Sequence, residues 1–151
     1  MRDHRLRGVD LFNREDFSGA LLEFQTIAKD DPNDPQVHLY IGSALIALNR
    51  LDEARTALER SLALQPRSER ALMELGRLEA LQNHLDASVL ALRRSIDVNP
   101  EFAEPHYFLA GVLTAQGDGE GARQEMLRFQ ELKARSPASA MEIDPSAPGT
   151  P

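Results

Sequence analysis

The clearest structural signal in this sequence is the stretch from residue 35 to residue 68, PQVHLYIGSALIALNRLDEARTALERSLALQPRS. Its apolar residues recur at the spacing of two amphipathic helices, an asparagine-containing turn separates the helices, and a proline follows the second one. The rest of the chain repeats this stretch with a period of 34 residues. A helix–turn–helix unit repeated at such a period is typical of a solenoid, whose units bury their apolar faces against each other.

The repeat is visible in columns of equivalent positions that follow one another at steps of 34 residues. Two columns contain only small residues: Gly8, Gly42, Gly76 and Ala110 in the first helices, and Ala20, Ala54, Ser88 and Ala122 in the second helices. A glycine inside a helix costs about 1 kcal/mol relative to alanine, so three glycines in one column indicate close packing of a neighbouring helix. The sequence therefore predicts an all-α solenoid of four repeats, at about 1–34, 35–68, 69–102 and 103–136.

Helical periodicity and turn residues predict two helices in each repeat. The predicted ranges are 2–14, 17–30, 35–48, 51–64, 69–82, 85–98, 103–116 and 119–135. The turns inside the repeats contain Glu15, Asn49, Asn83 and Gly117, and asparagine and glycine tolerate the left-handed conformation that ends a helix. Residues 137–151 are rich in proline, serine and alanine and lack a helical period, which predicts a disordered tail.

Composition excludes several classes of function. The net charge of −7 argues against a general nucleic-acid binder, and the absence of cysteine excludes disulfides, thiolate zinc sites and cysteine nucleophiles. No apolar run approaches the roughly 18 residues of a membrane span. The start, MRDHRLRGVD, does not lead into the apolar core of a signal peptide. We therefore expect a cytoplasmic protein, with a periplasmic or secreted location as the alternative if the N-terminus has been trimmed.

The repeat resembles the tetratricopeptide repeat. The family's Trp–Leu–Gly–Tyr run corresponds in the second copy to His38, Ile41, Gly42 and Leu45, and its Ala–Phe–Ala–Pro run corresponds to Ala54, Leu58, Ser61 and Pro66. The similarity covers residues 1 to about 136, and it departs from the family pattern at Arg7, Glu79 and Ala134. It implies a right-handed α-solenoid that is not an enzyme, that needs no cofactor or metal, and that acts as an adaptor or scaffold for protein binding.

The resemblance also implies a concave groove, lined by the first helix of each repeat, that holds a peptide or helix of a partner. The residues expected to line it are Arg5, Val9, Tyr40, Ser43, Arg70, Met73, Arg77, Tyr107 and Phe108. Arginines and exposed aromatic residues favour a partner with apolar anchors and acidic flanks. The family's clamp for the C-terminal carboxylate of chaperones is not expected, because Val9, Tyr40 and Glu74 replace clamp residues.

Two alternatives to an adaptor stay open. One is a self-associating scaffold, a homo-oligomer formed through the last helix, where no further helix would cover Met126, Leu127, Phe129 and Leu132. The other is the interaction arm of a larger enzyme or membrane-anchored complex.

Three further patterns have a simpler structural explanation than a chemical one. His4, His38 and His106 share one column, but equivalent residues of different repeats lie on the order of 10 Å apart, too far to share a metal ion. The aspartates of residues 30–35 lack the glycine and glutamate of a calcium loop. Residues 117–122, GDGEGA, follow no strand and lack the lysine of a phosphate-binding loop.

Overall fold

The computed structural model describes residues 2–135 of the chain, and within this range the secondary structure is entirely helical. The eight helices are α1 (Arg2–Asn13), α2 (Phe17–Asp30), α3 (Pro35–Ala47), α4 (Leu51–Leu64), α5 (Glu69–Leu81), α6 (Leu85–Val98), α7 (Glu104–Ala115) and α8 (Gly119–Arg135). Each predicted helix is present, with its ends within one residue of the prediction. The all-α repeat fold is thereby confirmed, whereas the tail predicted for residues 137–151 lies outside the described residues.

The same turn joins the two helices of every hairpin. After α3, the amide of Arg50 donates to the carbonyl of Leu45 (2.8 Å) and the amide of Asn49 donates to that of Ile46 (2.9 Å). This is the Schellman motif, which requires a left-handed residue after the helix. Asn49 has a φ of 59° and Gly117 has a φ of 82°. Glu15 adopts the same conformation, with a φ of 62°, although its side chain does not favour it.

The small-residue columns let the two helices of a hairpin approach closely. A Cβ atom added to Gly42 would lie 2.7 Å from the side chain of Leu58, and one added to Gly76 would lie 2.6 Å from that of Leu92. In the other column, the hydroxyl of Ser88 donates a 2.7 Å hydrogen bond to the carbonyl of Gly76. The glycines are therefore needed for packing, as the sequence predicts.

One joint between hairpins contains an ion pair where the others are apolar. Arg55 on α4 donates to Glu79 on α5 at 2.5 Å, and His84 Nδ1 lies 2.9 Å from the other oxygen of this buried carboxylate. The hydrogen bond from Arg55 lowers the pKa of Glu79, although burial opposes the shift. The equivalent pairs at the flanking joints are Leu21 with Leu45 and Val89 with Leu113. The arginine thus explains why a glutamate can occupy a column of leucines.

The outer face of α1 is charged. Asp3, Arg7 and Asp10 of α1 and Arg14 just after it are exposed, and they stand where the second repeat has Val37, Ile41, Ala44 and Leu48. This face therefore lacks the apolar stripe that the equivalent face of α3 has.

The last helix is less open than its sequence suggests. Gln130 is exposed, Met126 and Phe129 are partly buried, and Leu127 has 54% of its surface exposed. The expectation that Leu132 is uncovered is wrong, because only 4% of its surface is exposed. Thus Leu127 is the clearly exposed apolar residue of the set.

Candidate functional site

The first helices of the hairpins form one continuous surface, because α3 contacts α5 and α5 contacts α7. We call the side of α1, α3, α5 and α7 that carries the predicted residues the groove surface. Two cavities open on it, and they differ in size and chemistry. Together they are lined by Tyr40, Ser43, Arg70, Arg77, Tyr107 and Phe108, six of the nine predicted site residues.

The cavity nearer the N-terminus, here called the central pocket, lies between α3 and α5 and has a volume of about 220 Å³. Tyr40 lines it but also belongs to the core. Its ring stacks on Phe24 with 4.7 Å between centroids and contacts the edge of Phe12 at 5.7 Å. Such aromatic pairs stabilise the fold by about 1 kcal/mol each beyond burial. Tyr40 is therefore held in place by the protein's own side chains.

The predicted residues of α1 are also engaged within the fold. The guanidinium of Arg5 donates to the carboxylate of Asp34, which caps the N-terminus of α3. Val9 is partly buried against the core. Arg5 therefore holds the first hairpin on the second, and its positive charge is already balanced.

Glu74 places a buried carboxylate at the middle of the groove surface. Only 6% of the residue is exposed, and both of its oxygens lie 3.1 Å from Nη1 of Arg77. Burial raises the pKa of Glu74 above its ordinary value even though Arg77 and Arg70 attract the carboxylate. Met73, the preceding residue and a predicted site residue, is also buried, with 6% exposed.

Arg77 connects the two cavities, because it lines both of them. Besides its ion pair with Glu74, its guanidinium carbon lies 4.9 Å from the centroid of the Phe108 ring. A cation over an aromatic face is held by the negative potential of the ring. Arg77 is therefore fixed on one side by α5 and on the other by α7.

The second cavity, here called the C-terminal cleft, lies between the third and fourth hairpins and has a volume of about 750 Å³. Its lining is largely apolar, and the charged residues in that lining, Arg77 and Arg123, are both cations. Tyr107 and Leu81 also line it, and 51% and 58% of their respective surfaces are exposed. A Cβ atom added to Gly111 would meet nothing within 4 Å among the described residues, so the cleft is open at this glycine.

The aromatic residues of α7 border this cleft and lean on one another. The ring of Tyr107 lies 5.5 Å from that of Phe108 and 5.4 Å from that of Phe129 on α8. Phe108 is held further by Arg77, whereas Tyr107 keeps half of its surface accessible. Tyr107 thus contacts two aromatic neighbours and still has 51% of its surface exposed.

Most residues that line the C-terminal cleft lie outside the predicted set, and Leu81, Gly111, Arg123 and Met126 are among them. Arg123 and Met126 belong to α8, a second helix, whereas the prediction considered only first helices. Gly111 stands in the column of Val9, Ser43 and Arg77 but, unlike them, has no side chain. A missing side chain in a column of larger residues indicates a gap.

Two members of the histidine column form contacts within their own hairpins. His4 Nδ1 lies 2.5 Å from a carboxylate oxygen of Glu23, and His106 Nδ1 lies 2.6 Å from one of Glu125. The two glutamates are equivalent residues of the first and last repeats. Among residues 2–135, no group of three or more histidines and carboxylates is placed to hold a metal ion. In the same range, no helix combines the length and the apolar character needed to cross a bilayer.

The chain matches two family models, both described as tetratricopeptide repeat, over residues 11–78 and 73–140. Its fold is similar to that of TTC0263, a thermophilic TPR protein of Thermus thermophilus, with 21% identity and a TM-score of 0.81 over 87% of this chain and 74% of that chain. It is also similar to "MamA 41-end" from Desulfovibrio magneticus RS-1, with 23% identity and a TM-score of 0.76 over 89% of this chain and 76% of that chain.

A third similar structure contains a ligand. It is the first TPR domain of Spaghetti (RPAP3) bound to the HSP90 peptide SRMEEVD, with 18% identity and a TM-score of 0.71 over 76% of this chain and 90% of that chain. At these identities the likeness shows the fold alone. That fold is a protein-interaction scaffold and is generally not catalytic. The family matches, the 34-residue columns and the eight helices of residues 2–135 agree, and the chain therefore belongs to the tetratricopeptide repeat family.

Proposed function

We propose that this protein is an adaptor that binds a segment of another protein in the C-terminal cleft, and that the bound segment has apolar anchors flanked by acidic residues. The observation that carries the proposal is the exposure of Tyr107 beside an open cleft of about 750 Å³. A half-exposed, ordered tyrosine at an apolar cleft is the kind of residue that dominates protein interfaces.

The charges around the cleft favour an acidic partner. Arg77 and Arg123 line it, and no carboxylate of residues 2–135 does, although the chain as a whole has a net charge of −7. A local cationic surface on an acidic protein speeds the association of acidic segments and disfavours basic ones. The same arginines would raise affinity most where an apolar anchor excludes water beside them.

A partner held only by its C-terminal carboxylate fits this groove poorly. The Spaghetti domain binds the HSP90 peptide SRMEEVD, which ends in an acidic residue. In this chain the central pocket contains the buried carboxylate of Glu74, which would repel another carboxylate. The central cation Arg77 is already paired with Glu74, and Arg5 is paired with Asp34. These contacts support a ligand that is anchored by apolar side chains in the C-terminal cleft.

The test uses peptides selected against the full-length chain from a phage-displayed random library. Titration of a selected synthetic peptide should show that Tyr107→Ala costs about 2 kcal/mol of binding free energy, as a hot-spot residue does. Arg77→Glu should weaken binding at least as much, because it removes a cation and brings a second carboxylate beside Glu74. Circular dichroism should show that both variants keep the helical fold.

The matched control is Arg94→Glu, which makes the same change in charge at an exposed position of α6 that lines neither cavity. The site is wrong if this control lowers the affinity as much as Arg77→Glu does. It is also wrong if Tyr107→Ala leaves the affinity unchanged.

A second candidate function is self-association through α8, and Leu127 is the observation that favours it. Its equivalents in the other repeats are Gln25, Glu59 and Arg93, yet it is 54% exposed. Light scattering over a range of concentrations distinguishes the two functions. A particle mass that rises with concentration and that Leu127→Gln returns to the monomer value would support a scaffold, whereas a constant monomer mass would exclude it.

A further inference from the structure

The C-terminal cleft lies close to the point where the described part of the chain ends. Arg135 pairs with Glu101 at 3.9 Å, and Lys133 pairs with Glu104 at 3.8 Å, so the end of α8 lies beside the start of α7. Tyr107 follows Glu104 by less than one helical turn. A segment that leaves α8 therefore starts near the exposed tyrosine of the cleft.

The sequence after Arg135 contains one short segment with the chemistry that the cleft favours. Residues 136–151 read SPASAMEIDPSAPGTP, in which Met141 and Ile143 are the large apolar residues and Glu142 and Asp144 are the charged ones. Apolar and acidic side chains thus alternate over residues 141–144. This is the pattern proposed above for the partner.

The connection is long enough for this segment to reach the cleft. Met141 follows Arg135 by six residues, and an extended chain of that length spans up to about 20 Å. Met126 lines the cleft, and α8 rises by about 14 Å between Met126 and Arg135. The extended connection from Arg135 to Met141 is therefore longer than the distance along α8 from Arg135 to Met126.

We propose that residues 141–144 of this chain bind in the C-terminal cleft and compete there with the partner segment. The inference rests on the proposed function, because it assigns an internal competitor to the same site. The apolar side chains of the segment fill the cleft beside Tyr107, and its two carboxylates face Arg77 and Arg123.

The contact that the segment must displace at Arg123 is weak, whereas at Arg77 its carboxylate adds to the existing ion pair with Glu74. Arg123 pairs with Glu120, and both side chains are largely exposed, at 70% and 62%. Exposed ion pairs of this kind contribute about 0–1 kcal/mol, so a carboxylate of the segment can replace Glu120 at little cost. A short tether gives an effective concentration on the order of 1 mM, which populates even a weak contact. At that effective concentration the segment competes with a partner but does not exclude one that binds more strongly.

Methionine-methyl NMR on the full-length chain tests the contact, because Met126 and Met141 label its two sides. We expect nuclear Overhauser effects between the methyl group of Met141 and the ring of Tyr107, and we expect them to persist on dilution. The double variant Arg77→Glu/Arg123→Glu should abolish them, and Arg94→Glu should not. The proposal is overturned if the Met141 methyl resonance matches that of the synthetic peptide 136–151 free in solution. A contact that vanishes on dilution also overturns it, because the segment would then bind a second copy.

A competition experiment separates this inference from the proposed function. The probe is the synthetic peptide selected from the library, and the internal competitor is removed in the full-length chain by Met141→Ser/Ile143→Ser. We expect this variant to bind the probe roughly 2- to 10-fold more tightly than the unaltered chain. Equal affinities, with Arg77→Glu still weakening binding, overturn the internal competitor and leave the proposed function standing. If Arg77→Glu and Tyr107→Ala leave probe affinity unchanged, the proposed function fails as well.

Discussion

The two ends of the groove surface contain the same kinds of residue, but the fold uses them differently. Tyr40 stacks on Phe24 at 4.7 Å and belongs to the core, whereas Tyr107 keeps 51% of its surface exposed. Arg5 is bound to the cap of the next helix, whereas Arg77 lies over an aromatic ring beside a cleft. The central pocket has a volume of about 220 Å³ and the C-terminal cleft has one of about 750 Å³, so more space is open at the C-terminal end.

The difference originates in the side chains that separate neighbouring first helices. One column holds Phe12 and Ile46 in the first two repeats but Ala80 and Thr114 in the last two. Large side chains fill the space at the N-terminal end, and small ones leave it open at the C-terminal end. The aromatic residue on a first helix is therefore exposed at the end where the neighbouring side chains are small.

The largest expected effect is the difference in stability between alanine variants of the two tyrosines. Tyr40→Ala should lower the free energy of unfolding by about 3 kcal/mol, because it removes a ring that is packed against two others. Tyr107→Ala should lower it by less than about 1 kcal/mol, because half of this side chain is in solvent. Urea unfolding monitored by circular dichroism measures both values. Similar losses for the two variants would contradict the distinction between a structural end and a binding end.

The second comparison uses two glycines. Gly42→Leu should destabilise the protein by about 2 kcal/mol, because the new side chain would overlap Leu58. Gly111→Leu should leave stability unchanged or raise it by up to about 1 kcal/mol, because the position is open and leucine favours a helix. Thermal unfolding of both variants measures the difference. Gly111→Leu should also fill the C-terminal cleft and abolish binding of the selected peptide, so a variant that still binds would place the ligand elsewhere.

The smallest expected effect on stability concerns Glu74, which lies at the middle of the groove surface between its two ends. Burial raises its pKa from the ordinary 4.5, so the folded protein holds the carboxyl proton more tightly than the unfolded chain does. Ionisation of Glu74 therefore costs stability at neutral pH, and this cost disappears below the ordinary pKa of 4.5. Glu74→Gln should accordingly stabilise the protein at neutral pH by on the order of 1 kcal/mol or less, and the gain should vanish in acid.

Glu79 on the same helix is the matched contrast. The hydrogen bond from Arg55 lowers its pKa, so its ionised form stabilises the fold above the ordinary pKa and the contribution is lost in acid. Glu79→Gln should therefore destabilise the protein at neutral pH, opposite in sign to Glu74→Gln. Urea titrations of both variants across the pH range measure the two signs. If both substitutions destabilise the protein at neutral pH, the attraction of Arg77 and Arg70 outweighs the cost of burying the Glu74 carboxylate.

Much of the fold could be predicted because its signals are local. Turn residues, caps such as Asp34 and the small-residue columns act over a few residues or recur at a fixed step, so one copy helps to interpret the next. The site was less predictable. The partner of Arg5 is Asp34, 29 residues away on the next hairpin, and no local pattern shows that this arginine is already paired.

The sequence by itself determined the helices, the four repeats and the family, and it predicts the surface on which a partner should bind. Periodicity and turn residues are local features of the sequence, and they can be recognised without knowing the distances between residues in space. Only the tertiary structure decided which residues of that surface are available. Availability depends on what fills the space between neighbouring helices, and this is why Tyr40 and Tyr107, two tyrosines on first helices, have different environments.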